Sequence, residues 1–503
     1  MKVKNESGIT LIALVVTIVV LIILASITIN IVSGDNGLVQ KAKDAQAAQV
    51  VAQEKEKVQL AYGASILNND ASEIGKISKE DLENELKNDN VTVTQSSSGS
   101  EDVFTILFNN TEHTYYLTGK GSIQQDGEIE EIELTNDMAE TYLNYDKNST
   151  DDLVVPSELV IDGKLCKVVG LEKNLFSNSN ANTITVSEGI RYLKNNFISC
   201  SNVSTINLPS TLISIDKENM YSPSCYHCNS LENINFDKNN PNWTTVDGVV
   251  YSKDMKTLIV YPSGKTDESF KVPDSVEIIG ANAFDVNHWC VNNDKDYLKQ
   301  VTLSKNIKTL KYGAFRNRIN LNSIYMDNNK KVTEIQGDIF MNCSSLLSVN
   351  FLDDSIKKIN GHAFDGCSKL SSVILPSDLE RIETGAFQNC LIKSIELPEN
   401  LNYIGAYSFS ENPIDNITIP GKVNKIGDRV LERTNAKVNF ENYQTITEVG
   451  DSAFFTCTCD DDNAVNYING INANAFSFTS YGSAGGYFAY YTWDSTVESK
   501  YVY

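Results

Sequence analysis

Residues 340–409 read FMNCSSLLSVNFLDDSIKKINGHAFDGCSKLSSVILPSDLERIETGAFQNCLIKSIELPENLNYIGAYSF, and one phrase returns through them. It opens on a Cys, passes an apolar residue, alternates into Leu-Pro or its equivalent, takes an Ile and closes on Ala-Phe or a variant. The closing residues Phe340, Phe364, Phe387 and Phe409 are 24, 23 and 22 residues apart. A period of that size predicts a solenoid. In the unit Cys367 to Phe387, Leu370, Val373 and Leu375 suit a short strand with one face buried. Pro376 ends it, having no N–H for a ladder. Leu379 and Ile382 turn apolar surface back inward, and Phe387 fills the far wall. A single coil cannot bury these groups, so coils must stack.

The phrase extends in both directions. Earlier landmarks are Phe176, Phe197, Met220, Phe284 and Phe315; later ones are Val430-Leu431, Phe454 and Phe476. The array is read over 153–476 as about 12–13 coils, roughly 60 Å long at the spacing of neighbouring strands. The region resembles the BspA-type leucine-rich repeats of bacterial surface proteins. Residues 240–284 (NPNWTTVDGVVYSKDMKTLIVYPSGKTDESFKVPDSVEIIGANAF) match a variant of that family, with turns at Asp247-Gly248 and Lys253-Asp254 and hairpin strands VVYS and TLIVYP around the second. The resemblance implies an exposed protein that binds a protein or glycan ligand on a host or neighbouring cell.

Two departures from the period stand out. Six residues normally separate the Phe from the next unit's Leu, as Phe340 to Leu346, but eleven separate Met220 from Leu231 and fourteen separate Phe284 from Leu298. Equal register in a solenoid means the same edge. Their residues Tyr221, Tyr226, His227, His288, Trp289 and Tyr297 are the candidate binding surface, against neutral loop growth. Residues 477–503 break the repeat. Their aromatics (Phe488, Tyr490, Trp493, Tyr501, Tyr503) suit a terminal cap or a ligand-binding tail.

The N-terminus carries an independent signal. Ile9 to Ile31 holds 23 residues without a formal charge, about 34 Å as a helix, enough to cross a hydrocarbon core of about 30 Å. Lys2 and Lys4 precede it, which places the N-terminus in the cytoplasm and the bulk of the chain outside. Residues 1–8, ending at Gly8 before Ile9-Thr10-Leu11-Ile12, resemble a type IV prepilin leader. That resemblance implies cleavage after Gly8 by a prepilin peptidase, N-methylation of Ile9 and association with other pilins. An uncut signal anchor is the alternative. Ala13 departs from the family, whose fifth mature residue is usually Glu, and that puts entry into a filament as a major subunit in doubt. Residues 32–62 read as a stalk helix rich in Ala, Gln, Lys and Glu, with a weak apolar stripe (Leu38, Ala42, Ala45, Ala48, Val51). Residues 63–135 read as a small pilin-like α/β domain: a helix over 77–86 with Ser78 as N-cap, strands at Val91, Val103 and Thr114, and a turn or flexible loop at Ser96–Ser100. The fold class is therefore α+β: a long N-terminal membrane and stalk helix with a small antiparallel sheet, then a leucine-rich-repeat solenoid of short parallel strands.

With a net charge of −23, a nucleic-acid phosphate partner is disfavoured. Cys200, Cys228, Cys343, Cys367, Cys390 and Cys457 share one repeat position, which reads as a buried ladder of free thiols rather than disulfides. Cys225-Tyr226-His227-Cys228 has no second ligand pair at zinc-like spacing. Asp460-Asp461-Asp462 lacks the spacing of a calcium loop and reads as a solvated turn. The sequence contains no G-x-S-x-G, H-E-x-x-H or phosphate-binding Gly loop. No metal, cofactor or enzymatic activity is expected.

Overall fold

A computed structural model describes residues 17–26, 38–68, 77–98, 101–143, 146, 148–176, 179–194, 202–215, 230–286, 296–326, 331–349 and 354–477. They form two compact units, Met1–Tyr145 with Pro156–Val169, and Asp146–Val155 with Gly170–Tyr503. The strand Lys164–Leu171, read from sequence as part of the array over 153–476, is divided between them.

The first unit is built on helix α1 (Leu38–Asn68). Its buried residues Glu54, Val58, Ala61 and Ser65 recur at helical spacing on one face. The stripe Leu38 to Ala48 is exposed instead, because the domain core meets only the later turns. Helix α2 (Lys79–Glu85) starts where expected: Ser78 Oγ accepts from the Asp81 N–H, and the Asp81 carboxylate accepts from the Ser78 N–H. This reciprocal cap satisfies two orphan donors. Strands β1 (Val91–Ser98), β2 (Glu101–Phe108), β3 (His113–Thr118) and β4 (Ile123–Gln125) form an antiparallel meander. Ser96–Ser98 extend β1 rather than loop, because they pair with Val103, Asp102 and Glu101. Phe104, Ile106 and Phe108 on β2 join Tyr115 and Leu117 on β3 in a core with Val58, Ala61, Leu82 and Leu86. Glu54 ties α1 to β3, accepting from Thr111 Oγ1 (2.7 Å) and Tyr115 Oη (3.0 Å) and lying 2.7 Å from His113 Nδ1. Burial alone would raise the Glu54 carboxyl; these hydrogen bonds outweigh it and hold it below the usual range.

The apolar run 9–31 lies mostly outside the described residues; its described part, 17–26, is helical. Among the described residues no helix is long and apolar enough to cross a membrane.

The second unit is the repeat array. Parallel strands stack coil on coil in two sets. Longer strands such as Thr183–Val186, Thr205–Leu208 and Asn233–Phe236 form one. Two-residue strands such as Arg381–Ile382 and Tyr403–Ile404 form the other, six of them in succession from Glu334–Ile335 to Glu448–Val449. The ladder expected before Pro376 is absent: residues 371–376 alternate inward Val373 with exposed Ile374 but carry no strand pairing, and the Arg381–Ile382 strand takes the continuous ladder instead.

The Ala-Phe turn supplies a third ladder. Phe340 N–H donates to Ala363 O, and Phe364 N–H donates to Ala386 O, each at 2.8 Å. The rings follow: Phe284, Phe315, Phe340, Phe364, Phe387 and Phe409 stack at centroid distances of 4.8–5.7 Å. The residue two before the landmark takes positive φ in each coil from Asn282 to Ser452 (His362, Gly385 and Tyr407 among them), and the residue two after it does so from Asn317 to Thr456. Val430-Leu431 fills the landmark position, fully buried. Helix α3 (Asn136–Tyr142) belongs to the first unit, and in the last coil of the array helix α4 (Asp462–Ile471) replaces the short strand. Ala464 and Ile468 are buried, and Asn472 Nδ2 donates to Val449 O (3.0 Å), covering a carbonyl of the last short strand. Asp461 is the N-cap of α4, accepting from the Asn463 and Ala464 N–H groups, so the acidic run serves as a helix cap.

Candidate binding surface

Five of the six candidate surface residues, Tyr221, Tyr226, His227, His288 and Trp289, lie outside the described residues, as do Gly8, Ile9 and the tail beyond Ser477. Tyr297 is described and exposed, with 39% of its surface accessible. Immediately before it the chain is fixed by a feature that sequence reading missed. Asp296 and Arg318 form a fully buried ion pair at 2.9 Å. Arg318 Nε also donates to Phe284 O (2.6 Å), and its guanidinium lies 5.4 Å from the centre of the Tyr261 ring. The return of the second insertion into the array is therefore pinned by charge.

Arg318 sits three residues after its landmark Phe315, the position held by Cys in later coils. Those thiols do the same job. Cys343, Cys367 and Cys390 Sγ–H donate to Phe315, Phe340 and Phe364 O of the preceding coil at 3.1–3.2 Å. Asn412 Nδ2 donates to Phe387 O at 2.6 Å. The column is thus a row of donors to landmark carbonyls. The described cysteines Cys166, Cys343, Cys367, Cys390, Cys457 and Cys459 are free; Cys200 and Cys228 lie outside the described residues. Burial pushes the thiols of Cys343, Cys367 and Cys390 well up, which makes them poor nucleophiles.

The two strand sets present different outward rows. On the six short strands the outward residues are Glu334, Lys358, Arg381, Tyr403, Lys425 and Glu448, five of them charged. They neutralise one another or their neighbours: Arg381 meets Glu383 at 2.9 Å, Lys425 meets Glu448 at 2.8 Å, and the Arg381 guanidinium lies 4.0 Å from the Tyr403 ring centre. The long-strand rows are hydroxyl and amide instead. Asn207 Nδ2 donates to Thr185 Oγ1 and Asn235 Nδ2 to Asn207 Oδ1, each at 3.0 Å. Among the described residues no group of three or more His, Cys, Asp or Glu is placed to hold a metal ion.

The model of the BspA type leucine rich repeat region matches the chain in six copies over residues 165–253, 263–390 and 333–460. The chain belongs to the BspA-type leucine-rich repeat family. The BspA-type stretch contains the donor column and both strand sets. No curated protein matches the chain. Among solved structures, a leucine-rich repeat protein from Eubacterium ventriosum is similar at 19% identity, covering 64% of this chain and 96% of its own, with a TM-score of 0.38. A leucine rich cell surface protein from Faecalibacterium prausnitzii is similar at 18% identity, covering 63% and 96%, with a TM-score of 0.34. The pneumococcal vaccine antigen PcpA is similar at 16% identity, covering 71% and 100%, with a TM-score of 0.29.

Proposed function

We propose that the chain is a non-enzymatic, adhesin-like binding protein of the bacterial cell surface. The BspA-type array is its binding module, and the apolar N-terminal helix holds it outside the membrane. The observation that carries this reading is the repeat unit itself: inward positions keep to a few residue types, while outward positions form aligned side-chain rows over many coils, as an extended binding surface requires. The ligand is a protein or glycan on a host or neighbouring cell, met by the outward rows of the longer strands and by the edge bearing Tyr221, Tyr226, His227, His288, Trp289 and Tyr297. A prepilin peptidase cuts after Gly8 and the new terminus at Ile9 is methylated.

A second reading, a minor pilin or pseudopilin within a filament or secretion system, is favoured by the leader and by a long helix packed on a small antiparallel sheet. N-terminal mass spectrometry separates the readings: methylated Ile9 in sheared filaments supports the second, and an intact N-terminus confined to membranes removes prepilin processing. For the first reading, cells displaying the full chain should adhere to host-cell or bacterial layers several-fold better than cells lacking it. Equal adherence, with the chain labelled on the surface, would sink it.

A further inference from the structure

The outward rows of the longer strands are depleted of charge. The parallel registers place twenty outward positions in three separate runs, within residues 154–235, 269–348 and 394–458, eleven at the first site of the strand and nine at the second, and only Lys271 and Lys437 among them are charged. In a chain with 21% charged residues this face is set apart by its neutrality, most clearly beside the six short strands from Glu334–Ile335 to Glu448–Val449, whose outward residues carry five charges. Its residues are mostly Ser, Thr, Asn and Gln. Thr302 on the preceding coil pairs with Tyr325, which is 41% exposed, and Ser323 on the same strand pairs with Ser348 on the following coil.

We infer that this face binds a neutral polysaccharide laid across successive coils. Hydroxyls and amides both donate and accept, as sugar hydroxyls do. The rows repeat at the strand spacing of about 4.8 Å, which offers each successive pyranose ring an equivalent set of partners. Tyr325 provides an apolar ring face for the C–H side of a sugar, with a polar tip beside it. The Thr185–Asn207–Asn235 chain is already ordered by its own hydrogen bonds, so less side-chain freedom is lost on binding. An anionic polymer would meet the field of a chain carrying −23. A protein partner would be selected by clustered aromatic and charged anchors, and these rows offer one Tyr and two Lys.

The inference rests on the surface-binding reading and is tested separately from it. The full chain is run by native affinity electrophoresis in gels containing dextran, mannan or a linear β-glucan, with hyaluronate as the anionic comparison. At least one neutral polymer should retard it and hyaluronate should not. The triple variant Thr302→Glu, Ser323→Glu, Tyr325→Ala should lose at least tenfold in apparent affinity with its urea midpoint unchanged. Lys358→Ala with Lys425→Ala on the short-strand row should stay within twofold. Retardation by none of the neutral polymers, or retardation that survives the triple variant, overturns the inference. If displaying cells then still adhere, and the triple variant weakens that adherence to protein-coated surfaces, the ligand is a protein and the surface-binding reading stands alone. Retardation without any gain in adherence overturns that reading and supports the neutral face.

Discussion

Asn412 offers the sharpest test of the donor column. It is buried, and its amide makes contacts with three elements. Nδ2 donates to Phe387 O (2.6 Å), Phe409 O (3.1 Å) and Ser410 O (3.3 Å), and Oδ1 accepts from the Ile392 N–H (3.1 Å). Asn412→Ala leaves the Phe387 carbonyl and the Ile392 amide buried without these partners. Each orphaned group costs about 1–3 kcal/mol, and partial relaxation brings the expected loss to about 3 kcal/mol. Asn412→Cys should cost about half of that, because a thiol here repeats the geometry by which Cys390 reaches Phe364 O (3.2 Å) while Ile392 still loses its acceptor. Urea unfolding followed by Tyr fluorescence gives the stabilities. Hydrogen exchange over residues 387–398 gives the local readout, and the Ile392 amide should lose protection in both variants. An Ala variant within about 0.5 kcal/mol of the parent, or a Cys variant no better than Ala, would refute the idea that this column acts through hydrogen-bond donation.

Three further outcomes are expected. Arg318→Met strands the buried Asp296 carboxylate and should destabilise by about 3–5 kcal/mol, whereas Arg318→Met with Asp296→Leu should recover part of the loss in a double-mutant cycle. Gly427→Ala places a methyl against the backbone of Ala406 in the preceding coil; the coils must separate, at a cost of about 1–3 kcal/mol seen as a lower thermal midpoint. Burial pushes the Asp285 carboxyl up to about 6, against the pull of Arg316. The folded state then holds a proton that the unfolded chain has released above its usual carboxylate range near 4, so stability should fall as pH rises from about 4 to 6. Asp285→Asn, which can still meet Asn317, should flatten that slope and gain about 1 kcal/mol at pH 7, read from unfolding midpoints across pH.

The repeat was legible because its Phe, Ile and Leu positions are apolar and periodic, and the structure buries them in ordered columns. The same holds for the Ser78 cap, whose local chemistry is complete within four residues. The donor column was half legible. Cys343, Cys367 and Cys390 signal burial by themselves, but Arg318 and Asn412 read as surface residues until the carbonyl they share as a target is seen. At Gly313 and Gly385 the residue itself suits the left-handed turn beside Ala-Phe. The sequence could not reveal that Asp338, His362, Tyr407 and Arg429 accept the same left-handed backbone, because there tertiary pairing overrides residue preference. Helix α4 was missed for a related reason. Its residues DNAVNYINGI follow an acidic run that reads as a solvated turn, and the helix pays only by covering the last coil, a long-range effect absent from local propensity.

The account stands or falls on where the array is displayed. Intact cells producing the full chain should be treated with an added protease and with an antibody against residues 340–409. Display predicts labelling of unpermeabilised cells and release of repeat fragments into the medium. Labelling that appears only after permeabilisation, with the array resistant to added protease until then, would contradict it.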